Sequence, residues 1–408
     1  MLYLLGIRVF QLLVIFSSLF DHKAKLWLKG RKNIFKKLEK SIHENDKIIW
    51  VHCASLGEFE QGRPMIEAFK EKYPSYKILL TFYSPSGYEI RKNYEHADFV
   101  YYLPLDTPKN AKKFIKIVKP KIVLFIKYEF WFFFLREINR NDIPLYLVSG
   151  IFRSNQRFFK RHAEKSRKML KLFTHFFVQN VESEKLLKSI NIKNVSITGD
   201  TRFDRVFSIT QNAKELPLVE KFAENQKVLI GGSTWKPDEE LLIRYFNETS
   251  GSFKLIIAPH EIHKENIDRI SFALKDKNVL KYSEANPQNI QQADVLLIDG
   301  VGFLSSVYRY GSIAYIGGGF GKGIHNILEA ATFGLPIIFG PNYLKFNEAV
   351  ELESLGGAFS ISNYNELKEI LSNWIDNEHD LNECKKVNLD YIRKNIGATN
   401  EILEIINF

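Results

Sequence analysis

Short apolar runs alternate with longer amphipathic stretches along most of this chain, and this alternation restricts its fold more than any other feature. The apolar runs have the length of strands, while the stretches between them, such as PMIEAFKEKY and NAKKFIKIV, have helical spacing. Strands that alternate with helices predict βαβ units and a parallel sheet. The strands predicted in the first half are KIIWVHC, YKILLTFY, FVYYLP, KIVLFIK, IPLYLVSG, HFFVQN and VSITG.

The alternation stops once and then resumes. A polar stretch of low periodicity near residues 211–226 separates these strands from KVLIGGS, FKLIIAPH, VLLIDG, SIAYIGGG and PIIFGP. We predict an N-terminal segment over 1–40, two doubly wound α/β domains over 41–210 and 227–408, and a linker over 211–226. Ligands of such sheets bind beyond the carboxyl ends of the strands, so we expect the substrate in a cleft between the domains.

The first 40 residues combine an apolar segment with a basic one. The apolar part, MLYLLGIRVFQLLVIFSSLF, contains Arg8 and Gln11 and is borderline for a spanning helix, which needs about 20 apolar residues. The following DHKAKLWLKGRKNIFKKLEK holds eight basic side chains against two acids, within a net charge of +10. An apolar helix before a polybasic run predicts attachment to an anionic membrane surface on its cytoplasmic side. The alternative is a docked helix with a solvated basic face.

Composition disfavours two classes of protein. The only cysteines are Cys53 and Cys384, which lie far apart without a CxxC motif and so exclude a disulfide framework and a thiolate zinc site. The 57 lysines and arginines outnumber 47 acids, but they form no regular basic and aromatic stripe and accompany no nucleic-acid-binding motif. We therefore predict no nucleic-acid partner.

The segment GGGFGKGIHNILEAATFGLP, residues 317–336, is the richest in motifs. We predict that IHNILEAATFG within it is a helix closed by Gly334. Its glycines allow the backbone to approach a ligand closely, and a helix N-terminus offers N–H groups to a phosphate. Asn326 and Glu329 share one face there, where Glu329 can accept hydrogen bonds from sugar or ribose hydroxyls. The alternative is a glycine-rich turn with ordinary capping.

Three further strand ends in this half carry small or polar residues and together can form one pocket rim. Taken singly, each such segment is more often only a turn. A metal at His260, His263 and Glu261 is disfavoured, because the spacing offers no obvious further ligand. The three segments are Gly231–Trp235, Ala258–His263 and Asp299–Gly302.

Glu58 stands where the first predicted strand gives way to a helix, in VHCASLGEFEQGRP. We predict that Pro64 lies in the first turn of that helix. A nucleophilic pair of His52 and Cys53 is disfavoured, because adjacent strand residues point to opposite faces. Glu58 has two interpretations: it is a general base, or it only caps the helix.

Three more charged residues follow predicted strands. Glu129 follows KIVLFIK and precedes the aromatic run FWFFF, while Arg202 and Asp204 follow VSITG. An acid and a base from separate strand ends can meet at a cleft, but Glu129 can equally pair with one of the many lysines. The aromatic run is either core or an apolar wall for a lipid, which periodicity does not decide.

The order of these motifs resembles that of the Kdo (3-deoxy-D-manno-octulosonic acid) transferases of lipopolysaccharide synthesis. The resemblance covers nearly the whole chain and rests on WLKGRK, HCASLGE, TFYSPSG, YLPLD, YEFW, IPLYLVSGIFRS, TGDTRFD and GGGFGKGIHNILEAATFGLPIIFGP. It implies a glycosyltransferase B-type fold of two Rossmann-like domains, with the acceptor site in the N-terminal half and the CMP-Kdo site in the C-terminal half. The implied reaction transfers Kdo from CMP-Kdo, with inversion, to the 6′-hydroxyl of the tetraacylated lipid A precursor. It takes place at the cytoplasmic face of the inner membrane of a Gram-negative bacterium and requires no metal or other cofactor.

The resemblance also implies roles for single residues. Glu58, by its position in SLGE, corresponds to the general base. Glu129 and Arg202 correspond to residues that support the transition state, Arg202 by stabilising charge on the departing CMP phosphate. The donor-binding stretches of the family match Ser233, Thr234, Pro259, His260, Val301, Gly302, Phe303, Asn326, Ile327, Leu328 and Glu329.

The chain departs from the pattern of many family members at several of these positions. His260 replaces an arginine, Phe303 replaces a glutamate, and Arg202 replaces a lysine but keeps its charge. Lys127 and Tyr128 replace an acidic and a small polar residue on the acceptor side. The alternatives are another nucleotide-sugar transferase or epimerase of the same fold, or a noncatalytic protein that binds nucleotide or anionic lipid at a membrane surface.

Overall fold

The computed structural model describes residues 2–211, 213–249, 253–274 and 276–406. The chain divides into two compact units, of which the first comprises Met1–Arg205 with Ile396–Phe408 and the second comprises Val206–Asn395. Each unit contains one seven-stranded sheet in which all paired strands are parallel. The predicted α/β class with two doubly wound sheets is therefore confirmed.

The first unit contains the strands predicted for the first half of the chain. Its strands are β1 (Ile48–Cys53), β2 (Lys77–Phe82), β3 (Phe99–Tyr102), β4 (Ile122–Ile126), β5 (Leu145–Gly150), β6 (His175–Val178) and β7 (Val195–Ile197). Its helices are α1 (Leu2–Ser17), α2 (His22–Arg31), α3 (Ile34–Ser41), α4 (Leu56–Lys72), α5 (Pro85–Arg91), α6 (Pro108–Val118), α7 (Phe132–Arg140), α8 (Glu164–Leu170), α9 (Val181–Ser189) and the start of α10 (Arg202–Gln211).

The second unit repeats this plan with shorter strands. Its strands are β8 (Val228–Thr234), β9 (Lys254–Pro259), β10 (Val279–Lys281), β11 (Val295–Leu297), β12 (Ile313–Ile316), β13 (Ile337–Phe339) and β14 (Ala358–Ser360). Its helices are α11 (Pro217–Ala223), α12 (Lys236–Glu248), α13 (Lys264–Ala273), α14 (Leu304–Val307), α15 (Leu328–Thr332), α16 (Asn347–Leu355), α17 (Tyr364–Asp376) and α18 (Glu378–Asn395), and the last helix of the chain, α19 (Ala398–Ile405), belongs to the first unit.

The strand order of each sheet reverses at one place. The first sheet has the order β3-β2-β1-β4-β5-β6-β7, and the second has the order β10-β11-β9-β8-β12-β13-β14. The connections that leave β1 and β4, and those that leave β8 and β12, therefore diverge to opposite sides. In an open parallel sheet this divergence opens a crevice beyond the carboxyl ends of the strands, where ligands bind.

The central strands are apolar because helices cover both faces of the sheet. Every residue of β1, β4 and β5 is buried. The aromatic run at the start of α7 is partly core, since Phe133 and Phe134 are buried in the same cluster as Trp50. These packed strands hold the connections that follow them in fixed positions.

The units differ from the predicted domain boundaries at both ends of the chain. Residues 1–40 are not a separate segment, because Trp27 and Leu38 are buried and Leu38 packs in the core with Trp50. At the other end, α19 belongs to the first unit and not to the predicted domain 227–408, since its Ile402 and the following Ile406 are buried in the core of the first unit. The core against which a helix packs its apolar face thus determines the unit to which that helix belongs.

The predicted linker 211–226 is largely ordered structure of the second unit. Its helix α11 buries Val219 and Phe222, and Leu216 N donates a hydrogen bond to Tyr310 Oη at 2.8 Å. Residue 212 lies outside the described residues. The seven-residue helix was too short to show periodicity in the sequence.

Candidate active site

Glu58 lies in the first turn of α4, directly after β1. Ser55, the N-cap residue, donates its hydroxyl to the Glu58 carboxylate instead of capping the backbone. Within the described residues no backbone N–H of α4 donates to the Glu58 side chain. Glu58 thus keeps the favourable position of a carboxylate at the N-terminal end of a helix but makes no capping hydrogen bond to the described backbone of α4.

The prediction that Pro64 lies in the first turn is wrong. Pro64 lies inside α4, because the helix already begins at Leu56. A proline there cannot donate to the carbonyl of Glu60. The earlier helix start is what places Glu58 at the N-terminal end of α4 and beside the end of β1.

Glu129 follows β4, on the other side of the reversal in strand order. Its side chain is nearly buried, and its Oε2 accepts from Trp131 Nε1 at 2.5 Å and lies 3.2 Å from His52 Nε2. The alternative in which Glu129 pairs with a lysine is not seen among the described ion pairs. Glu129 Oε2 is instead in contact with two aromatic ring nitrogens, of which Trp131 Nε1 donates to it.

Glu58 and Glu129 both act on the thiol of Cys53, the last residue of β1. Burial raises the pKa of Cys53 well above its ordinary value, and the negative charges of Glu58, Glu129 and Glu60 raise it further. The strands β1 and β4, whose following connections carry Glu58 and Glu129, pair side by side in the sheet. The two carboxylates therefore belong to neighbouring connections at the carboxyl edge of the first sheet, where ligands of such sheets bind.

The residues before Glu129 add a phenol and cations to this region. Lys127 adopts a left-handed conformation with φ of 69°, and Tyr128 Oη accepts from Arg153 Nη1 at 3.2 Å. Burial raises the pKa of Tyr128, Arg153 lowers it, and the charge of Glu58 raises it. Tyr128 is therefore close enough to Glu58 to sense its charge.

Arg202 is fixed in position by Asp200. Asp200 accepts from the backbone N and from Nε of Arg202, both at 2.9 Å, and Arg202 Nη2 lies 2.8 Å from the same carboxylate. Gln61, on α4, donates to both oxygens of Asp200 at 3.0 and 3.1 Å. Gln61 lies three residues after Glu58 on one helix face. Asp200 therefore links the backbone that carries Arg202 to the helix that carries Glu58.

In the second unit, the glycines after β12 approach the end of β8 closely. Gly317 N donates to Gly232 O at 2.9 Å, and a Cβ on Gly317 would lie 2.3 Å from the carbonyl oxygen of Ser233. Ser233 itself has a positive φ of 52°, and Thr234 Oγ1 donates to Glu239 at 3.1 Å. The connection after β12 is thus in backbone contact with the end of β8.

Asp238 holds this arrangement together. It is fully buried and accepts hydrogen bonds from Gly318 N, Trp235 N and Tyr315 Oη, each at 2.9 Å. Burial raises the pKa of Asp238, while these three hydrogen bonds lower it. Sequence reasoning missed Asp238, although its place three residues after the cap residue Trp235 is the spacing of a capping box.

His260, which follows β9, lies between two rings that sequence reasoning did not single out. Its ring centroid is 4.5 Å from that of Trp235 and 4.6 Å from that of His325, with near-parallel planes. Trp235 Nε1 donates to His325 Nε2 at 3.1 Å. Burial, followed by the neighbouring His260, lowers the pKa of His325. The stack therefore joins the ends of β8, β9 and β12 through side chains, and Pro259 is the last residue of β9.

The helix after the glycine segment is shorter than predicted. It comprises only Leu328–Thr332, and residues 324–327 precede it in irregular structure. Gly334 has the predicted positive φ, at 74°. Asn326 Nδ2 donates to Glu329 at 3.1 Å, which confirms that these two residues face each other. Ile327 and Leu328 are buried in the core, so only their backbone groups can face a ligand.

The Val301–Phe303 segment follows β11, next to β9 in the sheet. Val301 is 80% exposed, Gly302 has φ of 83°, and the Phe303 ring packs on Tyr282 at 5.3 Å. This segment lies at the same edge of the sheet as His260 but contributes an apolar surface. A phenylalanine there cannot replace the hydrogen bonds that a glutamate would make.

Comparison with known proteins points to one family. Residues 29–205 match the model of the 3-deoxy-D-manno-octulosonic-acid transferase (kdotransferase) family. The chain is 30% identical to the 3-deoxy-D-manno-octulosonic acid transferase of Aquifex aeolicus, over 78% of this chain and 83% of the relative. It is 24% identical to the transferase of the same name from Haemophilus influenzae, over 88% of this chain and 86% of the relative.

Solved structures support the predicted type of fold. The UDP-GlcNAc 2-epimerase of Neisseria meningitidis, 16% identical, superposes with a TM-score of 0.62 over 88% of this chain and 98% of its own. MurG of Acinetobacter baumannii, 12% identical, superposes with a TM-score of 0.56 over 88% and 99%. At these identities the likeness shows the fold alone, and the predicted glycosyltransferase B-type fold is confirmed.

Proposed function

This chain belongs to the Kdo transferase family of glycosyltransferases, and we propose that it transfers Kdo from CMP-Kdo to the tetraacylated lipid A precursor with inversion at the anomeric carbon. The observation that carries the proposal is the placement of Glu58 and Glu129 after β1 and β4, where the strand order of the first sheet reverses. Two acidic side chains at such a crevice provide a base and a second charge beside it. Family membership alone supplies the identity of the donor and of the acceptor.

In the proposed mechanism Glu58 removes the proton from the acceptor hydroxyl while its oxygen attacks the anomeric carbon of Kdo. The bond from that carbon to the CMP phosphate breaks, and its electron pair leaves with CMP. Arg202, held by Asp200, stabilises the charge that develops on the phosphate. Glu129 supports the transition state beside Glu58.

The donor is assigned to the second unit. Ser233, Thr234 and the glycines after β12 present backbone groups to the phosphate, and the pair of Asn326 and Glu329 presents polar atoms to the ribose hydroxyls. His260, supported by its ring stack, donates to the phosphate in place of the arginine of other members. Because α15 has only five residues, its helix dipole is small. We therefore assign phosphate binding mainly to the nonhelical backbone that precedes it.

The function is tested by incubating the purified full chain with CMP-Kdo and the tetraacylated lipid A precursor. We expect release of one CMP for each Kdo that the mass of the lipid product reveals. UDP-GlcNAc in place of CMP-Kdo serves as the control donor and should give no product. A lipid of unchanged mass, with CMP-Kdo intact, would contradict the proposal, and the product mass also gives the number of Kdo units added.

We propose in addition that α1 attaches the protein to the membrane surface. No helix within the described residues is both long enough and apolar enough to cross a bilayer. However, α1 exposes a row of large apolar side chains that includes Leu12, Leu13 and Phe16, each more than half exposed. Its inner side is held by Tyr3, whose hydroxyl donates to Asp106 at 2.7 Å. An apolar face beside the basic α2 fits an anionic membrane surface.

Polar substitution of this apolar row should release the protein from membranes. Each buried large apolar side chain contributes about 1.5–3 kcal/mol, so the triple variant L12S/L13S/F16S should bind anionic vesicles at least about 100-fold more weakly, measured by cosedimentation. Substitution tests the surface better than deletion, because deleting α1 also removes the bond between Tyr3 and Asp106. Phe272→Ser, at an isolated residue of α13 that is 78% exposed, is the control and should bind like the wild type. Unchanged vesicle binding of the triple variant would contradict the attachment.

A further inference from the structure

A line of buried polar side chains runs from the middle of the first sheet to Glu129. Trp50 and His52, on one face of β1, both contact Thr81 on the neighbouring strand β2. Trp50 Nε1 donates to Thr81 Oγ1 at 2.8 Å, and the same oxygen lies 2.9 Å from His52 Nδ1. His52 Nε2 in turn lies 3.2 Å from Glu129 Oε2. Trp50, His52 and Thr81 are fully buried, so each polar atom depends on these partners.

The shorter contact at each ring nitrogen of His52 indicates the direction of the last hydrogen bond. Nδ1 lies 2.9 Å from Thr81 Oγ1, whose hydrogen is free to donate because this oxygen accepts from Trp50, and 3.1 Å from the carbonyl oxygen of Thr81. Trp131 Nε1 reaches Glu129 Oε2 at 2.5 Å and His52 Nε2 at 3.1 Å, and its single hydrogen favours the nearer, charged acceptor. A ring that accepts at Nδ1 carries its hydrogen on Nε2, facing Glu129, as a doubly protonated ring also does. The remaining tautomer would donate to the Thr81 carbonyl but would set a ring lone pair against the carboxylate.

Glu129 Oε2 therefore receives two N–H groups from rigid rings. His52 donates from β1 and Trp131 donates from the residue before α7. Hydrogen bonds to an ionised group fix its orientation and favour its charged form. No hydrogen bond to Oε1 of Glu129 is found within the described residues, which leaves that oxygen available to a substrate.

We infer that His52 is a positioning residue for the transferase reaction, which acts by holding the Glu129 carboxylate ionised and turned so that Oε1 faces the reacting groups. The inference rests on the proposed function and adds to it a residue that touches no substrate. It also explains why a histidine occupies a buried position near the carboxyl end of an otherwise apolar strand, where a polar group without partners would be costly.

Two amide substitutions of His52 separate positioning from packing. A glutamine at 52 places its amide N–H near the position of Nε2 and keeps the donor to Glu129, whereas an asparagine reaches only as far as Nδ1 and Thr81. Loss of a hydrogen bond to a charged group costs about 10- to 100-fold in an equilibrium or rate. We expect that H52N lowers kcat by that factor, that H52Q stays within about threefold of the wild type, and that neither variant changes KM for CMP-Kdo, whose binding is assigned to the second unit.

The assay is CMP release with saturating acceptor, accompanied by thermal unfolding of each variant. Equal kcat for H52N, H52Q and an active wild type would overturn the positioning role. Equal losses in both variants that follow their Tm values would also overturn it, because such losses report packing alone. A wild type without transferase activity would instead count against the proposed function on which the inference rests.

Discussion

Replacement of Glu58 by glutamine is expected to lower kcat by about 10³-fold, within the range that general bases contribute. Glutamine has the shape of glutamate and can still accept from the Ser55 hydroxyl, so the first turn of α4 is retained. It cannot remove a proton from the acceptor hydroxyl. The affinity for CMP should stay within about twofold, because donor binding is assigned to the other unit. The measurements are CMP release under saturating substrates and calorimetric titration with CMP.

Glu60→Gln is the matched control for this substitution. Glu60 lies two residues further along the same helix, and its charge acts on Cys53 as that of Glu58 does. Its carboxylate is paired with Arg91 at 3.0 Å, at the surface, where such a pair contributes about 0–1 kcal/mol. Glu60→Gln should therefore keep near-wild-type kcat. Turnover retained by E58Q, or an equal loss in both variants, would contradict the role of Glu58 as the base.

The central part of the fold could be predicted from the sequence because its strands are apolar on both faces. Long runs such as KIVLFIK have few alternatives to a buried parallel strand. The edge strands β10 and β14 were missed, since each has three residues of which the last is polar, Lys281 or Ser360, whereas β11 and β13 of the same length are wholly apolar. The position of α19 also could not be predicted, because an amphipathic helix does not indicate which of two cores it covers.

Candidate site residues could be singled out where a strand end carries an unusual side chain. Residues that act through a partner distant in sequence were missed. Glu58 stands out by its position alone. His52 does not, because its partner Glu129 lies 77 residues away and meets it only through the pairing of β1 with β4. Asp200 was missed for the same reason, because it accepts hydrogen bonds from Arg202 and from Gln61, which is distant in sequence. Such second partners are determined by strand register, which a single sequence leaves open.

Gly317→Ala is expected to weaken CMP binding by about 100-fold, because a displacement of about 1 Å in a binding site has an effect of that size. The added Cβ would lie 2.3 Å from Ser233 O and 2.5 Å from Thr234 Cα. These are backbone atoms at the end of β8 and cannot rotate away as a side chain can. The end of β8 and the connection after β12 must therefore move apart, and both belong to the proposed donor site. Calorimetric titration with CMP measures the loss.

Gly321→Ala makes the same substitution four residues later in the same segment and serves as the control. A Cβ at Gly321 meets only Gly318 O, at 3.6 Å, which is an ordinary contact. Its affinity for CMP should stay within about twofold of the wild type, as for a substitution without a steric conflict. If G317A bound CMP as G321A does, the glycines after β12 would not form the donor site. If instead both variants lost binding equally, general rigidity of the segment would matter more than the close approach at Gly317. Loss in G317A alone would show that the backbone contact between β8 and β12 shapes the donor site.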